Sequence, residues 1–127
     1  MIKSIRYFEE ECINKFEKLE DNFMKEPLKL AEYVIGLTEE LHNLGLKMIQ
    51  ESLEQMDEML NKSSKRLQHW VVESHENKKL TTSLGDVNFR KTLFTNKETG
   101  TSEYLLDRII GLERNERITE DAEAKML

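Results

Sequence analysis

The chain has 127 residues, of which 35% are charged and 38% hydrophobic, with a net charge of −6. That length fits one domain, or a helical arm with a small domain, and excludes two full cores. The single cysteine, Cys12, excludes an internal disulfide and fits a reducing compartment, and no signal-peptide core or membrane-length apolar run is present, so a cytoplasmic location is expected.

Ile5, Phe8, Cys12, Phe16, Leu19 and Phe23 recur at steps of three and four, which predicts one amphipathic helix from about Ser4 to about Lys25. Cys12 reads there as a small core residue rather than a reactive thiol. Pro27 ends that helix and opens a second, because proline suits a first turn and pushes the residue before it out of helical angles. The second stripe, Val34, Leu37, Leu41, Leu44 and Met48, then Ile49, Leu53, Met56 and Leu60, carries helix to about Asn61. Gly36 and Gly45 interrupt it at a cost of about 1 kcal/mol each relative to alanine, unless they permit a close helix contact. Phe8, Cys12, Phe16, Leu19 and Phe23 are the candidates for self-association, as an antiparallel helical pair or dimeric coiled coil. The acidic runs Glu9-Glu10-Glu11 and Glu39-Glu40 read as solvated faces, since neighbours on a helix diverge by about 100°.

Ser63 and Ser64 mark a change to extended chain. Trp70-Val71-Val72 reads as a strand and Glu76 to Lys79 as a turn. Lys79 to Ser83, Asp86 to Thr95 and Thr101 to Leu105 complete an expected antiparallel sheet of about four strands. Val87, Phe89 and Leu93 should share one face and Asn88, Arg90 and Thr92 the other, with Asn96 to Gly100 as a glycine-closed turn. Asp107 is expected to cap a short helix that Gly111 stops. Thr119 should cap a last helix, interrupted by the end of the chain.

Charge is unevenly spread. Residues 1–61 hold seven basic and fourteen acidic side chains, residues 98–127 four and eight, and residues 62–97 eight and three. The middle is therefore the phosphate-facing candidate, through Lys65, Arg66, Lys78, Lys79, Arg90, Lys91 and Lys97; the competing reading is lysines that only solvate a sheet edge. Trp70, Phe89, Phe94 and Tyr104 could stack on bases but fit better as the sheet's core. His42, His69 and His75 lack ligand spacing, and with one cysteine no zinc site is expected. No phosphate-cradling glycine loop or nucleophile constellation occurs, so neither a catalytic residue nor a cofactor is expected.

Thr82-Ser83-Leu84-Gly85-Asp86-Val87 with Phe89 and Thr92, Asn96-Lys97 with Gly100, Tyr104-Leu105-Leu106-Asp107, Gly111-Leu112 and Glu116-Arg117-Ile118 occur in an order similar to the N-terminal part of ISLre-group insertion-sequence transposases, long catalogued as an uncharacterised protein family. Arg66, Trp70 and the helical lead-in with Asp57 also resemble that group. Leu93-Phe94 stands where the group often has an aromatic pair, which keeps the strand hydrophobic. The resemblance implies a non-catalytic N-terminal region that contributes oligomerisation and transposon-end DNA binding, with the metal-binding acids of catalysis beyond residue 127. The expected architecture is α+β. A helical hairpin or coiled-coil arm (residues 1–61) precedes a small antiparallel sheet (62–106) and a short helix with the start of another (107–127). The alternative is a helical protein–protein interaction module without DNA binding.

Overall fold

The computed structural model describes residues 2–112. It is α+β, with helices first, then a three-stranded antiparallel sheet in the order β1-β2-β3, then a short helix. The described residues divide after Ile49 into two compact units, and the dividing point falls inside a helix.

The first unit is a helical hairpin. Helix α1 (Ile2–Tyr7) runs through a π-helical turn (Phe8–Cys12) into α2 (Ile13–Lys25). That turn adds a residue to the 3.6 period, so the inward side steps from Ser4 and Tyr7 directly to Cys12, and then to Phe16, Leu19 and Phe23. Ile5 and Phe8, expected on the apolar stripe, are thereby rotated outward. Glu26, with ψ of 75°, breaks the helix ahead of Pro27, which opens a 3-10 turn (Pro27–Lys29) leading into α3 (Leu30–Asn61). The hairpin closes by stacking Phe23 on Tyr33, with centroids 4.9 Å apart, and by the approach of Leu19 to Gly36. A Cβ on Gly36 would lie 2.7 Å from Leu19 Cδ2, so the missing side chain is what admits the leucine. Tyr33, Leu37, Glu40 and Leu44 face in, whereas Val34, Leu41 and Met48 face solvent. The expected stripe is thus displaced around the helix, because a polar residue, Glu40, holds an inward position.

In the second unit the last turns of α3 accompany the sheet. Ser63 does not begin extended chain. It caps α4 (Ser64–His69), accepting the Arg66 N–H at 3.3 Å on its hydroxyl. Strand β1 (Trp70–Thr82) is continuous through the expected turn at 76–79, bending only at a bulge between Val72 and Ser74. It pairs with β2 (Gly85–Asn96) from Trp70↔Asn96 to Thr82↔Gly85, and the reversal is the two-residue connection Ser83-Leu84. The expected four strands are therefore three among the described residues. Local polarity suggested a turn where the full cross-strand ladder holds extended backbone. At the bulge, Glu73 accepts hydroxyl bonds from Thr95 at 2.8 Å and Ser102 at 2.6 Å, pinning the start of β3 (Ser102–Glu103). The Asn96 turn forms as the sequence predicts, its side chain accepting the N–H groups of Glu98 and Thr99 and Gly100 adopting φ of +73°.

Strand β2 is buried along one face and, from Thr92 onward, along the other as well. Val87, Phe89 and Lys91 lie on one side, Thr92 and Phe94 on the other. Thr92, expected outward, is 1% exposed. Leu80 and Leu106 complete this core; burial of each such apolar side chain stabilises by roughly 1.5–3 kcal/mol. Helix α5 (Leu105–Ile110) ends at Gly111, whose φ of 74° supplies the left-handed stop. Asp107 is inside this helix rather than its cap, and Tyr104 occupies the cap position without a side-chain bond to the helix's first N–H groups. The expected helix after Thr119 lies outside the described residues. No described helix is long and apolar enough to cross a membrane.

Candidate nucleic-acid interface

The seven basic candidates go to different places. Lys91 is removed from solvent: its ammonium donates to both carboxylate oxygens of Asp107 at 2.9 and 2.8 Å and sits 4.0 Å from the Tyr104 ring centroid. A charge alternation read along one strand could not reveal a partner sixteen residues away. Lys78 is half-buried on the same side, 5.3 Å from that ring. Tyr104 donates its hydroxyl to Glu76; burial, then that bond, raises its pKa. The Tyr-Leu-Leu-Asp segment is therefore a clamp that fastens α5 to the sheet through Tyr104, Leu106 and Asp107. Arg66 is likewise structural. Its Nε donates to the Asn61 carbonyl at 2.8 Å, and its guanidinium lies 5.7 Å from the Phe94 ring centroid.

Lys65, Lys79, Arg90 and Lys97 are exposed. Lys97 lies at the base of the β1–β2 hairpin, its Nζ donating to the Leu67 carbonyl at 2.7 Å and its backbone N–H to the His69 carbonyl at 2.9 Å. Lys79 and Arg90 lie on the hairpin itself. The register Asn77↔Arg90 and Lys79↔Asn88 puts all four side chains on one face, and all four are exposed. The opposite face carries Leu80, Val87 and Phe89, which are buried. One side of the ribbon is thus closed by packing, while the other presents two cations and two amides. Acids border it: Asp86 lies 3.9 Å from Lys79 Nζ and accepts the Thr81 hydroxyl at 3.0 Å, and Glu54 reaches the Arg90 backbone at the strand's edge.

Two carboxylates that sequence reading left unassigned hold this ribbon's outer edge. Strand β3 pairs only with Phe94 and Thr95. On the stretch before it, Glu54 accepts the Arg90 N–H at 2.8 Å and Asp57 the Thr92 N–H at 3.0 Å. Positions i and i+3 of a helix share a face, and N–H groups two residues apart point to the same strand edge, so α3 takes the place of a neighbouring strand. Asp57 also accepts the Thr92 hydroxyl at 2.7 Å, and that hydroxyl meets His75 Nδ1 at 3.0 Å. A buried hydroxyl held this way acts as a fastener and has no access to substrate.

Other polar groups are similarly satisfied. In the arm, Glu40 is buried and not part of a solvated acidic face. Tyr7 donates its hydroxyl to it, Cys12 Sγ lies at 3.2 Å and Lys15 Nζ at 3.5 Å. Burial pushes the Glu40 carboxyl up, but the bonds from Tyr7 and Cys12 and the charge of Lys15 outweigh it and leave the group below its ordinary range. The bond to Glu40, followed by burial, raises Tyr7, and burial followed by Glu40 raises Cys12. Among the self-association candidates, Cys12, Phe16, Leu19 and Phe23 lie on the hairpin's inner side and Phe8 is exposed. A hollow of about 310 Å³ at the hairpin turn is bordered mainly by polar side chains, Asn22, Lys25, Glu26, Lys29 and Glu32 among them, and the Lys29 ammonium there pairs with Glu26 at 3.0 Å. Among the described residues, no three His, Cys, Asp or Glu side chains gather as a metal site, and no buried side-chain polar atom lacks a partner.

These features define an α+β protein with a helical hairpin and an antiparallel ribbon that has one packed and one open polar face. Residues 23–127 match the uncharacterised protein family UPF0236, and the chain belongs to that family. A UPF0236 protein of Caldanaerobacter subterraneus subsp. tengcongensis is 32% identical over 120 residues, covering 94% of this chain and 25% of its own length. Two others from the same organism are 30% identical with the same coverage. The chain thus spans about a quarter of the length of the curated relatives it matches. No solved structure matches it.

Proposed function

We propose that this chain is the N-terminal, non-catalytic region of an insertion-sequence transposase, and that it binds transposon-end DNA through its sheet and self-associates through its arm. The observation that carries the DNA reading is the open ribbon face, where Lys79 and Arg90 are exposed in register with Asn88 and Asn77. Lys65 and Lys97 add exposed cations within the segment whose basic residues exceed its acidic ones. A second observation supports membership of a mobile element. The name of one relative joins eleven serially numbered designations from a single organism, and another joins four. A protein carried repeatedly in one organism is what a self-copying element leaves behind. Self-association is supported by Val34, Leu41 and Met48, exposed on α3 at intervals of seven residues, the spacing of a coiled-coil seam.

The test is binding of the full chain to a labelled end duplex in low salt, beside a variant in which Lys65, Lys79, Arg90 and Lys97 are replaced by Gln. The parent should bind and the variant should lose at least ten-fold in affinity. Equal affinities would favour the alternative, an interaction module without DNA binding. Leu41→Glu should convert an associating chain to monomer in sedimentation; a concentration-independent monomer for the parent would remove self-association from the account. With magnesium or manganese the chain should leave the duplex intact, and nicking abolished by one acid substitution within it would contradict the non-catalytic assignment.

A further inference from the structure

We infer that the open face of the β1–β2 ribbon enters the major groove of duplex DNA, where Asn77, Lys79, Asn88 and Arg90 meet base edges. The inference rests on the DNA-binding reading above and extends it from phosphate attraction to sequence readout. Two paired strands lie about 4.8 Å apart, and a two-stranded ribbon is admitted by a B-form major groove about 12 Å wide. The major groove of A-form RNA is too deep and narrow for the same approach.

The register makes the face specific. Asn77 opposes Arg90 and Lys79 opposes Asn88, so the cations occupy one diagonal and the amides the other. Successive pairs on one face are about 6.8 Å apart along a strand, near twice the 3.4 Å spacing of stacked bases. Arginine or lysine donates to guanine O6 and N7, and asparagine pairs with adenine N6 and N7. A patch that only attracted phosphate would need the cations and gain little from the amides.

The ribbon is also held in a form that can be inserted. Leu80, Val87 and Phe89 close its other face, and Glu54 fixes the Arg90 backbone through its N–H, a bond that leaves the guanidinium uninvolved. Asp86 on this face meets Lys79 only in the open, at 3.9 Å, a weak surface contact that DNA would readily displace.

The full chain would be used to select duplexes from a pool with twelve random base pairs. The selected duplex would then be rebuilt with 7-deazaguanine, which lacks the major-groove N7. The expected result is an enriched sequence containing guanine and adenine, with about ten-fold weaker binding when deazaguanine replaces a contacted guanine. Asn77→Ala/Asn88→Ala should lose the preference for adenine and keep that for guanine, with an unchanged circular dichroism spectrum and the parent's salt dependence, because no charge changes. A selected duplex indifferent to 7-deazaguanine, or an undiminished adenine preference in the double variant, would overturn groove readout while leaving DNA binding in place. Equal binding of duplex RNA would do the same. No binding to any duplex would overturn the DNA reading together with this one.

Discussion

Lys91 and Asp107 hold each other with side chains only 10% and 16% exposed. Removing one member of such a pair leaves a charge stranded, so Asp107→Asn should cost about 3–5 kcal/mol in urea unfolding, and Lys91→Met/Asp107→Leu should recover much of it. Lys79→Gln, at an exposed ribbon position, should stay within about 0.5 kcal/mol. Equal losses at Lys79 and Asp107 would mean that the clamp is no more important than the surface. Glu40 gives a pH test for the arm. Its folded carboxyl lies below the usual range, so it contributes stability above the unfolded pKa, about 4.3, and that contribution disappears as pH falls through the lower folded value. Tyr7 and Cys12 lie above their usual values. Their contribution is complete below the unfolded values, about 10 and 8.5, and declines as pH rises through the folded ones. Glu40→Gln should flatten both limbs of a helicity-against-pH profile; an unchanged profile would remove Glu40 as their source.

The elements differ in how far the sequence announces them. Pro27, Asn96, Gly100 and Gly111 act through local backbone angles, and each ends or turns the chain where its chemistry predicts. The three-four stripe reveals α2 but not the π turn, because the extra residue is taken up where Tyr7 and Cys12 converge on Glu40, contacts 33 and 28 residues away in sequence. Strand β1 looked broken at its polar centre because pairing with β2, rather than composition, keeps it extended. The edge caps Glu54 and Asp57 were indistinguishable from solvated helix acids for the same reason. Their role has a measurable consequence. Glu54→Ala should speed amide exchange at Arg90, and Asp57→Ala at Thr92, by about ten-fold or more, with smaller effects along the β1–β2 ladder. Uniform acceleration across the strand would instead mean that each substitution opens the whole sheet. At the arm's close contact, Gly36→Leu should lower the urea midpoint of the helical signal by an amount equivalent to about 1–3 kcal/mol, although leucine is the better helix former. A raised midpoint would mean that Leu19 does not pack there.

At the scale of the molecule, the α+β class was legible because two helical stripes precede alternating segments, and the position of the basic region was legible from charge counts alone. Which cations are exposed was not, since Lys91 and Arg66 find partners through the fold while Lys79 and Arg90 do not share those partners. On the reading proposed above, the cations left exposed, the ribbon pair above all, meet DNA. The most direct test is the salt dependence of binding for the full chain and for Lys79→Gln/Arg90→Gln on the same end duplex. Each cation no longer brought against the duplex, in the groove or on the backbone, leaves condensed counterions in place and lowers the magnitude of the slope of log affinity against log salt by up to about 0.9. Binding by the parent should depend on salt, and the variant should bind more weakly with a slope shallower by about one to two units; no binding by the parent, or identical slopes for the two proteins, would mean that these cations do not meet DNA.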